Sequence, residues 1–358
     1  MGVHGQTRVE AGPGVVISHE SALKMWVRAR LACGRLVREW LDELYPTDML
    51  LAMREEEVSA DTSLAPLELP AKIASWARHS LSELPFTDSA GAVDVLVGKH
   101  RSRRCSRHVR AHVWHGPVPD GLLVRLSRGV YLCSPELVLL QLAGTMTRVA
   151  LLELAYMLCG SYAVDPDGGA LHEGLMPLTS PERLARVCQL SEGVVGVRSA
   201  RFAAKFVHAG ARSPMEAQLA ILLGLPRRLG GYGCGPILMD YHVDLPEAAQ
   251  RQAGRGYVVA DIYLPRAHVD VEYQGYRHRY AASHASDDSK SNALLMVGIQ
   301  TVSVWGEQLY NESAMEGIAG LLLESSGIDR RPDSGLMLVR RGSLMAELRA
   351  SSLPDSES

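Results

Sequence analysis

Two carboxylates in the last third of the chain, Asp261 and Glu272, sit in runs that read as neighbouring strands, YVVADIYLP and HVDVEYQG, separated by a turn at Pro265-Arg266-Ala267. A hairpin there brings the two carboxylates together. Gln274 follows Glu272 by two residues, so both side chains leave a strand on the same face, which can also present Asp261. Such a face can hold a hard cation. Mg2+ (or Mn2+) prefers oxygen ligands and keeps several waters, so Asp261, Glu272 and a backbone carbonyl, that of Tyr273, suffice as the protein's share of a site. A cation held in this way polarises a scissile phosphate, lowers the pKa of an attacking water and offsets charge on the leaving oxygen. The chemistry indicated is phosphodiester hydrolysis. Each of these acids also has a purely structural reading, in an ion pair with a basic partner, because a charge among apolar strand residues needs a partner or a metal.

The elements that must position these groups can be read around them. Ser213-Pro-Met-Glu216 opens a helix, SPMEAQLAILLGL, and PILMDYHVDL, GYVVADIYL and HVDVEYQG follow as three strands. A polar helical stretch and the strand QTVSVW complete the segment. Helix, three strands, helix, strand is the order of an α/β or α+β unit with adjacent antiparallel strands.

This combination carries a resemblance. Glu216 on a helix, then Asp261, then Glu272-Tyr-Gln274-Gly resembles the Glu, Asp, Glu-x-Lys order of the PD-(D/E)XK nucleases. VVADIYLPRAHVDVEYQGYRH with DDSKSNALLMVGIQTVSVW is similar to the bacterial endonuclease group related to very-short-patch-repair enzymes. The resemblance implies a restriction-endonuclease-like core, a mixed sheet flanked by helices, over residues 211–325. It implies metal-assisting roles for Glu216, a role as acid or phosphate ligand for His278, and a helix aspartate at Asp287 or Asp288. One position departs: Gln274 stands where the superfamily has Lys and the closer group has Asp, which removes a charge and leaves an amide able to orient water or phosphate. Bland readings stay open beside these. Ser213-Pro-Met-Glu216 fits a capping box, Tyr276-Arg-His-Arg-Tyr280 fits a solvated strand exit, and Asp287-Asp288 suits the first turn of any helix.

In the N-terminal half, Ser18 is placed as N-cap of an apolar-periodic helix running to about Leu44, and another helix is expected over Ala71 to Leu81. From Val93 the short runs AVDVLV, HVRAHVWH, LLVRLS and GVYLCS make a small β-rich segment. Ser134-Pro135-Glu136 and Thr179-Ser-Pro-Glu each supply a cap, a proline and an acid at a helix start. Between Val95 and Pro119 there are six basic residues, Lys99, Arg101, Arg103, Arg104, Arg107 and Arg110, and no acid. They can neutralise phosphates and give salt-sensitive attraction to DNA, or form only a solvated basic hairpin. ISHESAL and GVYLCSPELVLLQLA loosely resemble abortive-infection antitoxin proteins, which implies a DNA-binding N-terminal region.

Length and composition set the frame. At 358 residues the chain exceeds one ordinary domain, and the division expected is 1–90, 91–210, 211–325 and a polar, loosely attached tail at 326–358. A hydrophobic content of 47% with 22% charged residues is that of a folded globular protein. The net charge of -3 gives no whole-molecule attraction to nucleic acid, so any such binding is local. The six cysteines are scattered without metal-ligand spacing, and neither a membrane span nor a basic-then-apolar leader is seen, so a cytoplasmic location is expected, and the resemblance implies a bacterial protein. The function expected is a DNA endonuclease using Mg2+. The alternative is a non-catalytic DNA-binding regulator or antitoxin retaining a degenerate nuclease fold, with a toxin partner or a homodimer left open.

Overall fold

Most element boundaries follow from local sequence. The computed structural model describes residues 15–33, 92–98, 100–103, 105–107, 109–115, 118–119, 121–127, 130–275, 284–329 and 332–351. The expected helical stretches at 34–44 and 71–81 lie outside them, as does His278. The protein is mixed α and β, with 11 α-helices and both parallel and antiparallel strand pairs among the described residues. It forms two compact units, one of 1–145 with 182–201 and the other of 146–181 with 202–358.

The first unit is built on a five-stranded sheet of β1 (Val15–Ile17), β2 (Val93–Val97), β3 (Val109–Val113), β4 (Leu123–Ser127) and β5 (Val130–Cys133). The spatial order is β3-β2-β1-β5-β4, with β1 parallel to β5 and antiparallel to β2. Four of these strands are the runs expected from Val93 onward. The central one, β1, was read as part of a polar start, because three residues are too few to display an alternation. Ser134 caps the helix Pro135–Leu142 as expected, its Oγ accepting from Leu137 N at 3.3 Å. That helix is apolar nearly all round and buried throughout, which is how such a sequence avoids water. Its one charge, on Glu136, is met by Arg183 Nε at 2.8 Å.

In the second unit the helix Pro214–Gly224 precedes β8 (Leu238–Asp244), β9 (Tyr257–Leu264) and β10 (Val269–Gln274). The helix His284–Met296 then leads to β11 (Gln300–Trp305), and a short ribbon, β6 (Ala163–Val164) with β7 (Leu171–His172), lies earlier in the chain. The four-stranded sheet has the order β11-β10-β9-β8, antiparallel from β8 to β10 and parallel between β10 and β11. The helix Pro214–Gly224 buries Ala217, Leu219, Ile221, Leu222 and Leu223 and packs on β9 and β10. Ala293 and Leu294 of the later helix join Val258, Ala260, Tyr263 and Ile299 in one core cluster.

The segment expected to be a loosely attached tail instead carries the helix Gly335–Ser351, which buries Arg341, Leu344, Met345 and Leu348. Its apolar stripe is narrow and interrupted by arginine, so the sequence looked polar. Arg341, 1% exposed, donates to Glu316 Oε2 at 2.8 Å and Asp333 Oδ2 at 2.7 Å, and lies 4.2 Å from the Tyr232 ring centroid. Breaking a buried pair on one side strands the other charge, so Arg341→Ala should cost about 3–5 kcal/mol of stability in urea unfolding. Arg341→Lys should recover little of it, because a lysine cannot fork to two carboxylates while stacking on a ring.

Candidate functional site

The β9–β10 hairpin brings its carboxylates together. The register pairs Val269 with Leu264, Asp270 with Tyr263 and Val271 with Ile262, and continuing it by one residue sets Glu272 across from Asp261. Lys290, on the helix His284–Met296, reaches into this face. Its Nζ lies 3.1 Å from Asp261 Oδ1, 2.7 Å from Glu272 Oε1 and 3.6 Å from Asp270 Oδ2. Three carboxylates therefore converge on one ammonium.

Asp270 and Lys290 are the members that the sequence reading missed. Asp270 had a signal, because in VDVEYQ the residues Asp270, Glu272 and Gln274 alternate onto one face. Lys290 had none at strand spacing, since only the packing of the following helix delivers it.

The environment is buried and crowded with negative charge. Asp270 is fully buried and its Oδ1 accepts from Ile262 N at 3.3 Å. Burial, reinforced by Asp261 and Glu272 and opposed by Lys290, pushes the Asp270 carboxyl from the ordinary 3.8 up to about 7. Burial and then the Asp261 charge push Glu216 up to about 8, although the Arg212 amide opposes this through a 2.9 Å bond to Glu216 Oε2. For Lys290, burial alone would lower the pKa, but Asp261, Asp270 and Glu272 together raise it. The ammonium is thus held charged, while Asp270 beside it and Glu216 beside Asp261 are pushed toward their protonated forms.

Glu216 takes part in the cap that its structural reading expects, and its carboxyl also lies within the field of Asp261. Its amide donates to Ser213 Oγ at 3.2 Å, the cap expected from Ser213-Pro-Met-Glu216, while its carboxyl returns to the Arg212 amide and feels Asp261. Gln274 Nε2 donates to Glu272 Oε2 at 3.2 Å, so the residue that replaces a charge steadies the neighbouring carboxylate. Tyr273 lies between them on β10 with its side chain on the opposite face by alternation, which leaves its carbonyl as the group it could offer. Asp287 and Asp288 lie on the helix that carries Lys290, and nothing is described of their side chains.

The donor set suits a hard divalent cation. Asp270 Oδ2 and Glu272 Oε1 are buried, and both face the Lys290 ammonium, at 3.6 Å and 2.7 Å. No three His, Cys, Asp or Glu side chains among the described residues are closed into a metal-binding group. The two observations agree once Mg2+ is considered, because it takes one or two protein carboxylates and completes its shell with water and substrate phosphate.

Of the basic candidates in the first unit, Lys99 and Arg104 lie outside the described residues, and Arg101 is in the short helix His100–Ser102. Arg103 and Arg107 are exposed between β2 and β3. Arg110, on β3, is half-exposed and pairs with Asp94 Oδ1 at 3.3 Å, so one of the six charges is partly committed to an acid just before the basic stretch. No helix among the described residues is long and apolar enough to cross a membrane. Compared with protein-family models, curated proteins and solved structures, the chain matches none.

Proposed function

We propose that the second unit is a metal-dependent endonuclease core of the PD-(D/E)XK type acting on DNA phosphodiesters, in which Lys290 supplies from a helix the charge that Gln274 lacks on β10. The observation that carries this reading is the convergence of Asp261, Glu272 and the Lys290 ammonium at one point on the β9–β10 face. The order of elements supports it, with a helix, three antiparallel strands, a helix and a strand parallel to β10.

Asp261, Glu272 and the Tyr273 carbonyl would hold Mg2+, which when bound polarises the phosphoryl oxygen and makes water a stronger nucleophile. Lys290 stands where negative charge develops on the phosphoryl oxygens and stabilises it by direct donation. Gln274 keeps Glu272 oriented, and Asp270 holds the hairpin through Ile262 N while adding to the field that keeps Lys290 charged. Glu216 adds a further carboxylate once it ionises, and His278 is assigned the acid or phosphate-ligand role by resemblance. The exposed Arg103 and Arg107 supply non-specific attraction to the DNA backbone.

The test is incubation of the full chain with plasmid, linear and single-stranded DNA in Mg2+ or Mn2+, beside Glu272→Ala. Strand breaks that need the metal and vanish in the variant are expected.

A second reading has its own observation. Lys290 already neutralises part of the carboxylate cluster, as a structural salt bridge in a degenerate scaffold would. On that reading the protein is a DNA-binding regulator or antitoxin, and DNA binding persists with no strand break on any substrate.

A further inference from the structure

The first unit holds a second group of polar side chains that the nuclease reading does not use. Asp94, at the start of β2, is buried, and its carboxylate is saturated on the inside: Oδ2 accepts from Ser21 Oγ at 3.0 Å and Ser21 N at 3.3 Å. Its Oδ1 accepts from Arg110 at 3.3 Å and pairs with His112 Nε2 at 2.7 Å. The pairing of Asp94 with Arg110 across β2 and β3 accounts for the shared face, and Arg110 and His112 are two apart on β3 with buried Ala111 between them.

His112 is fixed on a second side as well. The His19 ring stacks on it at 3.7 Å between centroids and 19° between planes. His19 is itself held, with φ +50, by Gln141 on its amide at 2.9 Å and by Ser18 Oγ on Nδ1 at 3.0 Å. A non-glycine residue in the left-handed region costs energy, and the neighbours that enforce it here are the ones that aim the stacked ring. An imidazole on the rim of a sheet needs neither restraint for packing. What the two restraints leave is one edge: no hydrogen bond reaches His112 Nδ1 among the described residues, and the side chains of His112 and Arg110 are 29% and 55% exposed.

We propose that Arg110 and His112, aimed by Asp94 and His19, form a phosphate-binding site on the rim of the first unit. The Arg110 guanidinium offers charge-assisted N–H donors to a phosphate, the stronger class of hydrogen bond, and the outward edge of the His112 ring stands beside it. The inner carboxylate takes Nε2–H, so a doubly protonated ring presents Nδ1–H outward. The source favoured is a nucleic-acid backbone rather than a free phosphate, because exposed Arg103 and Arg107 lie on the same β2–β3 connection, and the acid beside the site, Asp94, is buried and turned inward onto Ser21. The site extends the nucleic-acid surface to His112, which the count of Lys and Arg leaves out, and it stands whether or not the second unit cleaves.

The experiment is fluorescence anisotropy of the full chain in EDTA with a labelled DNA duplex and with a single strand, over a range of salt, with inorganic phosphate as competitor. Arg110→Ala is expected to weaken duplex binding about tenfold and to reduce the salt slope by up to about 0.9, the loss of one phosphate contact, and His112→Ala to weaken binding in the same direction. Arg198→Ala, which removes an exposed charge of the same unit, should change it less than twofold. His112→Gln, which keeps a donor at the ring's position, guards against a folding defect and should lie between wild type and alanine. If DNA affinity is unchanged but phosphate raises the melting temperature of wild type and not of Arg110→Ala, the site stands and its ligand is a free phosphate. Wild-type behaviour of both Arg110→Ala and His112→Ala toward DNA and phosphate alike would overturn the proposal.

Discussion

Replacing Lys290 with methionine is expected to stop cutting and weaken the fold together. Among the described residues, the Lys290 ammonium is the cation set among Asp261, Asp270 and Glu272, and its side chain is only 15% exposed. Removing a donor aimed at developing charge costs about 10²–10³-fold in rate. Removing one side of a buried ionic cluster costs about 3–5 kcal/mol, because the carboxylates left behind repel one another out of water's reach. The two losses can be separated. Lys290→Arg keeps the charge and should recover most of the stability, but its planar fork cannot sit at the same point between three carboxylates and cutting should stay low. Wild-type cleavage by a folded Lys290→Met would remove Lys290 from the chemistry and leave it a structural counter-ion.

Asp270→Asn should make the protein more stable, not less, in EDTA at pH 8, by about 3 °C or more in melting temperature. Asp270 has its folded-state pKa raised to about 7 and Glu216 to about 8, by burial first and by neighbouring carboxylates in part. A group whose pKa is higher in the folded state binds more protons there than in the unfolded chain, so stability falls as pH rises between the two values. The stabilising contribution is whole below about 4 and is lost as pH climbs through 7 for Asp270 and 8 for Glu216. Thermal melts from pH 5 to 9 should therefore decline for wild type and flatten in Asp270→Asn and in Glu216→Gln. If the proposed site takes Mg2+, the cation would replace the missing protons, so Mg2+ should stabilise wild type more at pH 8 than at pH 5.5. Melts of Asp270→Asn that run parallel to wild type across the range would mean that this carboxyl is not perturbed as its surroundings require.

The residues of the site differed in how openly the sequence announced them. Asp261, Glu272 and Gln274 were visible because a hairpin and two-residue alternation are local properties, and the structure adds only their register. Asp270 obeys the same alternation but lay between valines and read as part of a core strand. Lys290 reaches the site by tertiary packing of a helix, which no short-range period encodes, and without it the Gln274 departure looked like a lost charge. The basic stretch shows the opposite error: the count begins at Val95, one residue past Asp94, the acid that pairs with Arg110 and His112. β1 escaped notice because a three-residue strand has no pattern, and the docking of the helix Gly335–Ser351 because its anchor is an arginine, a residue ordinarily read as surface.

The central claim, that the β9–β10 face hydrolyses DNA with a bound metal, is tested most directly by strand breaks in supercoiled plasmid, comparing wild type with Asp261→Ala at equal DNA occupancy across a Mg2+ titration. The account predicts nicking that rises with Mg2+, is absent in EDTA and is lost in Asp261→Ala while DNA binding is unchanged. Nicking that survives in Asp261→Ala, or wild-type protein that binds DNA and leaves it intact at every Mg2+ and Mn2+ concentration, would contradict it.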